Sequence, residues 1–313
     1  MQKLKYFPFG EQFDLRMGTS LITEKDRLID VDNEHYIPEI RAKRKLLKDD
    51  HQYYYQSNKN TGLAQWDVVD KVLHDLVVID PAQFILQKQN GNWHWTNNRL
   101  SEETTFVFGD ADTLPLEPLD WIGRQVQEDF VILSNDAQAS IIAGQLCFAN
   151  GWSLDDKFNQ PFVTIHAPAP NTIAPTIQTA QKLMEKIQIS KPVWRCSWNC
   201  KVRGDLDLSS KHNARYNLQL KEMAPELTSQ NIGQHLYLRI ERQTISRLLR
   251  SGCVLFGIHL YQNKLDDENL TPQQAKNMNN VLTTTPGAML NYKAITPFYD
   301  ALTGYLQNII SKS

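Results

Sequence analysis

Leu119–Leu133, LDWIGRQVQEDFVIL, changes character part-way: it starts helical and ends in the unbroken apolar run Phe130–Leu133, which reads as a strand. Further strand-type runs lie outward from it, at Ile141–Phe148, Phe162–Ile165, Val193–Val202 and Gly252–Tyr261. The helical segments lie mostly toward the ends. Residues 29–50 turn from an extended opening into a basic amphipathic helix, and 66–80 carry Trp66, Val69, Val72, Leu73 and Leu76 at helical spacing. A polar helix is expected over Thr176–Ile187, and closing helices near Pro272–Asn280 and Ile295–Ile309. Between them, Gln89–Asn97 (QNGNWHWTN) reads as a short hairpin or loop with two exposed aromatics. Strands and helices do not alternate regularly, which argues against a doubly wound parallel sheet. The expectation is an α+β fold with a central antiparallel or mixed sheet flanked by N- and C-terminal helices. No Gly-, Ser- or Pro-rich linker divides the chain, so residues 1–313 read as a single domain.

Composition narrows the function classes. At 313 residues, 41% hydrophobic and 22% charged, with a net charge of -2, the chain has the make-up of an ordinary globular protein. A pI near 6.5 gives no global basic field to gather nucleic acid or an anionic membrane. No apolar run approaches the roughly 20 residues needed to span a bilayer, and the opening MQKLKYFPFGEQFDLRMG lacks the apolar core of a signal peptide. A cytoplasmic protein is expected. The cysteines Cys147, Cys196, Cys200 and Cys253 then read as buried free thiols.

Glycine-rich nucleotide loops, nucleophile elbows and H-E-x-x-H are all missing. Cys196 and Cys200 have no second cysteine pair and make a poor zinc site. A chain of this size without a self-contained catalytic motif is either a binding module or an enzyme whose chemistry resides in a cofactor. One imidazole stands out in Gly151–Pro170, GWSLDDKFNQPFVTIHAPAP. His166 ends an apolar run and is followed by Pro168 and Pro170, which stiffen the chain beyond it. Imidazole so presented suits a haem iron or another transition metal; otherwise His166 is an ordinary half-buried histidine.

Three polar clusters accompany it. Gln127-Glu128-Asp129 precedes a strand, where its carboxylates either receive a cationic amine or charge a solvated edge. Arg195 lies between Trp194 and Trp198, seeking an anion or stacking on the indoles. In Leu238–Arg247 (LRIERQTISR), Arg239, Arg242 and Arg247 cannot all be paired by Glu241, so the excess is solvated or binds anionic groups of a ligand.

Three stretches, QEDFVIL with CFANGWSLDDKF, the IHAPAP turn and LRIERQTISRLLRSGCVLFGIHLY, together resemble the haem-dependent oxidative N-demethylase alpha-subunit family. Phe7-Pro8-Phe9, RAKRKLL and Met289-Leu290-Asn291-Tyr292-Lys293 extend the resemblance in order over nearly the whole chain. It implies haem b in a PAS-like fold, oxidation of a small methylamine such as dimethylamine by dioxygen, and release of formaldehyde. Electrons would come from NADPH through partner reductase subunits carrying flavin and an iron–sulfur cluster. The chain has Arg195-Cys196-Ser197-Trp198 where the family usually has Arg-x-Asn-Trp, and Arg247-Leu248-Leu249 where it usually has Arg-Leu-Pro.

Under this resemblance His166 is the expected iron ligand, with His259, inside an apolar run, as runner-up. Its second ring nitrogen is expected to be held by an acceptor. Arg195 and Arg242 are expected to neutralise the propionates, beside Trp198. Glu128 or Asp129 would orient the amine or relay protons. The rival readings are a haem-based PAS-like sensor or carrier and a haem-free interaction protein.

Overall fold

Almost every side chain of Val254–Lys264 is buried down to Tyr261, and such a strand needs neighbours on both sides. The computed structural model supplies them; it describes residues 4–312 apart from 15, 17, 24–25, 171–173 and 267–269. Residues 1–3, 15 and 17 of the opening stretch therefore lie outside the described residues. Numbered in chain order, the strands of the main sheet run β1 (Ser20–Leu21), β8 (Val193–Lys201), β9 (Tyr237–Arg247), β10 (Val254–Lys264), β6 (Asp129–Leu133), β7 (Ile141–Gln145), β2 (Tyr55–Ser57). All neighbours are antiparallel. A second sheet is the meander β3 (Phe84–Gln89), β4 (Asn92–Asn97), β5 (Glu102–Val107). Asn90 and Gly91, at φ 52° and 81°, turn β3 into β4.

Register assigns faces, because directly opposed residues of an antiparallel pair share one. Trp194, Thr244 and Gly257 form one row, and Cys196, Arg242 and His259 the next. This face is packed by helices. α1 (Tyr36–Asp49) and α3 (Gly62–Ile79) bury Ile40, Leu47, Val68 and Val72 in one apolar cluster with Phe130, Ile132 and Leu255. α9 (Pro272–Thr284) and α11 (Tyr299–Ser311) do the same for Trp198, Leu238 and Ile240. The opposite face carries the rows Arg195–Gln243–Ile258 and Ser197–Glu241–Leu260. One end of it is covered by α6 (Phe162–Ile165) and α7 (Ala174–Lys186), through Phe162 and Met184 against Val193 and Ile245. Arg195, Ser197, Glu241 and Gln243 remain only half-buried. The shorter elements are α2 (His51–Tyr54), α4 (Pro118–Gly123), α5 (Leu154–Lys157), α8 (Asn213–Met223) and α10 (Gly287–Tyr292). No described helix is long and apolar enough to cross a membrane.

Four expectations change. Phe162–Ile165 is one helical turn, not a strand: it follows Pro161, buries only Phe162 and leaves Val163 and Thr164 in solvent. His166 therefore closes a helical turn. Leu238–Arg247 is itself most of the central strand β9, hidden from pattern reading because its arginines point inward or along the sheet. Trp95 is 1% exposed and stacks on Phe84, so the 89–97 hairpin does not display both its aromatics. Gln127-Glu128-Asp129 is not a solvated edge; all three residues are buried.

Candidate functional site

Burial of Gln127-Glu128-Asp129 calls for partners for their polar atoms, and α1, β10 and the backbone at residues 30–32 and 147–148 supply most of them. Glu39 and Lys43 stand on the helix's buried stripe with Tyr36, Ile40 and Leu47. Lys43 Nζ lies 3.2 Å from Asp129 Oδ1 and donates to the carbonyls of Val126 and Glu128. Asp129 Oδ2 accepts from the backbone N–H groups of Cys147 at 2.9 Å and Phe148 at 2.6 Å. Gln127 donates to Glu39 and accepts from Asp32 N–H. Glu128 Oε1 accepts from Asp30 N–H at 2.7 Å and meets His259 Nδ1 at 3.0 Å. Burial alone would lower the pKa of His259; the charge and hydrogen bond of Glu128, with Glu39 and Asp30, outweigh it and the net direction is up.

Around this pair the opening segment is tied down. Asp30 accepts from Lys5, Tyr6 and Tyr261. Burial pushes the Asp30 pKa up, but the bonds from Lys5 and Tyr261 and the charges of His259 and Lys5 bring it down to about 2. Arg242 donates to the carbonyls of Leu28 and Arg27 and lies over the rings of Trp194 and Tyr6. A cleft of about 220 Å³ opens beside this network, lined among others by Asp32, His35, Glu39 and Tyr261. His259 Nε2 and Glu128 Oε2 are buried without hydrogen-bond partners.

Across the sheet the chemistry differs. His166 Nδ1 is 2.8 Å from the Phe162 carbonyl, and the rings of the two residues are 4.4 Å apart. A carbonyl only accepts, so Nδ1 holds the proton and Nε2 holds a lone pair. Burial lowers the pKa of His166, and the charges of Lys157 and Arg195 lower it further against the opposing Phe162 bond, which favours the neutral ring. Arg195 has a buried Nε without a hydrogen-bond partner. Burial depresses its pKa, while Glu241, on the neighbouring row of the same face, opposes that. Gln243 donates to Glu241 Oε2 at 2.9 Å.

A family model described as "Haem-dependent oxidative N-demethylase, alpha subunit-like" matches residues 21–303. The chain belongs to this family. Haem dependence is what the family's name implies, and the open face has the right donor set for such a group. A neutral imidazole whose other nitrogen is held by a carbonyl is the usual form of a histidine metal ligand. A half-buried guanidinium whose buried Nε has no hydrogen-bond partner suits a propionate.

The residues singled out from sequence thus fall into two sets. His166 and Arg195 share the open face. Glu128, His259, Arg242 and Trp198 lie on the helix-packed face, and Asp129, at the start of β6, is taken up by Lys43 and two backbone amides. Trp198 packs on Phe9 at 4.8 Å and beneath Lys293 Nζ at 4.4 Å. Trp194 stacks with Arg242, not Arg195, because successive residues of a strand point to opposite faces. Arg239 and Arg247 are neither solvated nor free: backbone carbonyls take them, among them those of Leu206 for Arg239 and Ile187 for Arg247. Lys43 was missed, although a lysine in register with Ile40 and Leu47 on an apolar stripe is a legible sign of a buried partner. The four cysteines are free, three of them buried, and the described residues contain no cluster of metal-ligating side chains.

Proposed function

We propose that this chain is the haem-carrying subunit of an oxidative N-demethylase, with haem b seated on the open face of a PAS-like sheet and His166 as its iron ligand. The observation that carries this reading is the His166 imidazole, set by the Phe162 carbonyl with Nε2 unprotonated, on the face where Arg195 lacks an anion. When bound, the haem supplies dioxygen activation beside an N-methyl group. Arg195 neutralises a propionate. Glu241, oriented by Gln243, is the carboxylate on this face and receives the substrate's ammonium. Phe162, Phe256 and Ile258 keep water from that surface. Residues 1–313 act as one unit in the cytoplasm, and electrons arrive from NADPH through reductase subunits carrying flavin and an iron–sulfur cluster.

The helix-packed set has a different part in this reading. Glu128 and Asp129 hold His259, Asp30 and Lys43 in place and so fix the strand on which the site is built. The test is spectroscopic first. Purified chain given haem should show a Soret band, and His166→Ala should remove it while far-UV dichroism stays unchanged. Haem retained normally by that variant overturns the ligand assignment, and His259→Ala is then the variant to examine. With a flavin and iron–sulfur reductase added, loss of dimethylamine and release of formaldehyde distinguish an enzyme from a haem sensor or carrier.

A further inference from the structure

Buried cations usually reveal their anions, and Lys201 does not. Lys201 closes β8 with 9% of its surface exposed. Its Nζ lies 4.8 Å over the ring of Tyr216, from α8, and among the described residues no ion pair is made to it; Glu241 acts on it only through its charge. The Tyr216 hydroxyl is itself buried; its oxygen faces the Val202 backbone N–H, and its own O–H has no acceptor among the described residues. Both side chains line one small cavity of about 20 Å³, together with Asn150, Gly151, His212 and Asn213. That volume admits a single water-sized or halide-sized occupant.

The surroundings favour a negative one. Arg239, on the next row of the same face, is 1% exposed and donates to carbonyls and to Gln262. Of the carboxylates near it, Asp207 is taken up by His212 and Tyr54, and Glu241 reaches Lys201 only as a charge that partly offsets those of Arg239 and Lys293. A lysine desolvated without a counter-charge is costly, and burial with the nearby charges of Arg239 and Lys293 lowers its pKa to about 8, still protonated at neutral pH. We propose that the Lys201–Tyr216 cavity is a binding site for one small anion of chloride size, held by the ammonium and the phenolic O–H. The site is separate from the haem reading: Lys201 is six residues from Arg195 along β8, roughly 20 Å at strand spacing.

The experiment uses the full chain without added haem. Thermal midpoints are measured in sodium chloride and in sodium gluconate at equal ionic strength, since gluconate is too large for the cavity. A saturable rise in midpoint with chloride alone is expected. Lys201→Met keeps the aliphatic stem over Tyr216 and should abolish the chloride dependence; Tyr216→Phe, which keeps the packing, should weaken it should the first variant fail to fold. A crystal soaked in bromide should give an anomalous peak in the cavity. Equal midpoints in the two salts, or a cavity that holds water in bromide, overturns the proposal. Haem binding or its failure has no bearing on either result.

Discussion

On the helix-packed face of the sheet and at the start of β6, each charged group has a partner within the chain: Arg242 two carbonyls, Asp129 Lys43 and two amides, Glu128 His259 and an amide, although Glu128 Oε2 and His259 Nε2 make no hydrogen bond. Across the same strands, Arg195 has no anion at its buried Nε and Glu241 stands half-exposed with an amide for company. Charges of the first kind are costly to disturb because each removal strands a partner in low dielectric. Those of the second kind include a cation without a carboxylate partner, and under the proposed function that is where an anion from outside the chain fits. The two faces teach that a buried charge by itself says little about function; whether the chain completes it says more.

The largest effect is expected at Asp129. Asp129→Asn removes the counter-charge of Lys43, which is fully buried, and should cost about 3 kcal/mol of unfolding free energy. Urea denaturation of the haem-free chain measures it. If the amide folds with unchanged midpoint yet turnover falls with haem intact, Asp129 acts on substrate and the division between faces fails. Glu128→Gln, measured the same way, tests its neighbour; loss of turnover at full stability and full haem content would return Glu128 to catalysis.

A second test is pH. The Asp30 carboxyl is held at about 2, below the unfolded value of about 3.9, so its stabilisation is complete above that value and is lost as pH falls through the interval. The loss is on the order of 2 kcal/mol. His259 has its pKa raised, so its contribution is complete below the unfolded value of about 6.5 and disappears as pH rises through the folded one. Stability should therefore fall at both ends, and Asp30→Asn should flatten the acid limb alone. An acid limb unchanged in that variant would mean that the Lys5–Tyr6–Tyr261 cluster does not depend on the charge of Asp30.

How much of this could be read from the residues depends on how far each feature is local. The helices over Trp66–Leu76 and Ile295–Ile309, and the strands at Phe130–Leu133 and Gly252–Tyr261, follow from apolar spacing and stand within a few residues of where it placed them, the last helix beginning only at Tyr299. The 89–97 hairpin was legible through Asn90-Gly91, but the burial of Trp95 was not, since Phe84 and Gln125 complete its environment from elsewhere. β9 was obscured by charge: Arg239 and Arg242 look solvated in sequence and become tolerable only because carbonyls of residues 205–206 and 27–28 fold onto them. The grouping of site candidates was out of reach for the same reason. Nothing local says that Arg195 and Arg242 face opposite ways, because that depends on their strand register.

The smallest change in stability should come from Arg195, and its contrast with Arg242 is the sharpest test of the two faces. Replacing a half-buried cation that makes no ion pair by an apolar chain of similar length strands no hydrogen-bonded partner, so Arg195→Met should alter haem-free stability by only about 1 kcal/mol in either direction. In the same variant a propionate would lose a charge-assisted bond worth about 1.5–3 kcal/mol, weakening haem affinity by roughly ten- to a hundred-fold. Arg242→Met should do the reverse: it frees the carbonyls of Leu28 and Arg27, lowers the unfolding midpoint and leaves haem affinity nearly unchanged. Haem titration followed at the Soret band, beside urea denaturation of each haem-free variant, gives both quantities. Two variants that lose affinity and stability together would show that the faces are coupled, and the propionate would then have to be sought on the side of Arg242.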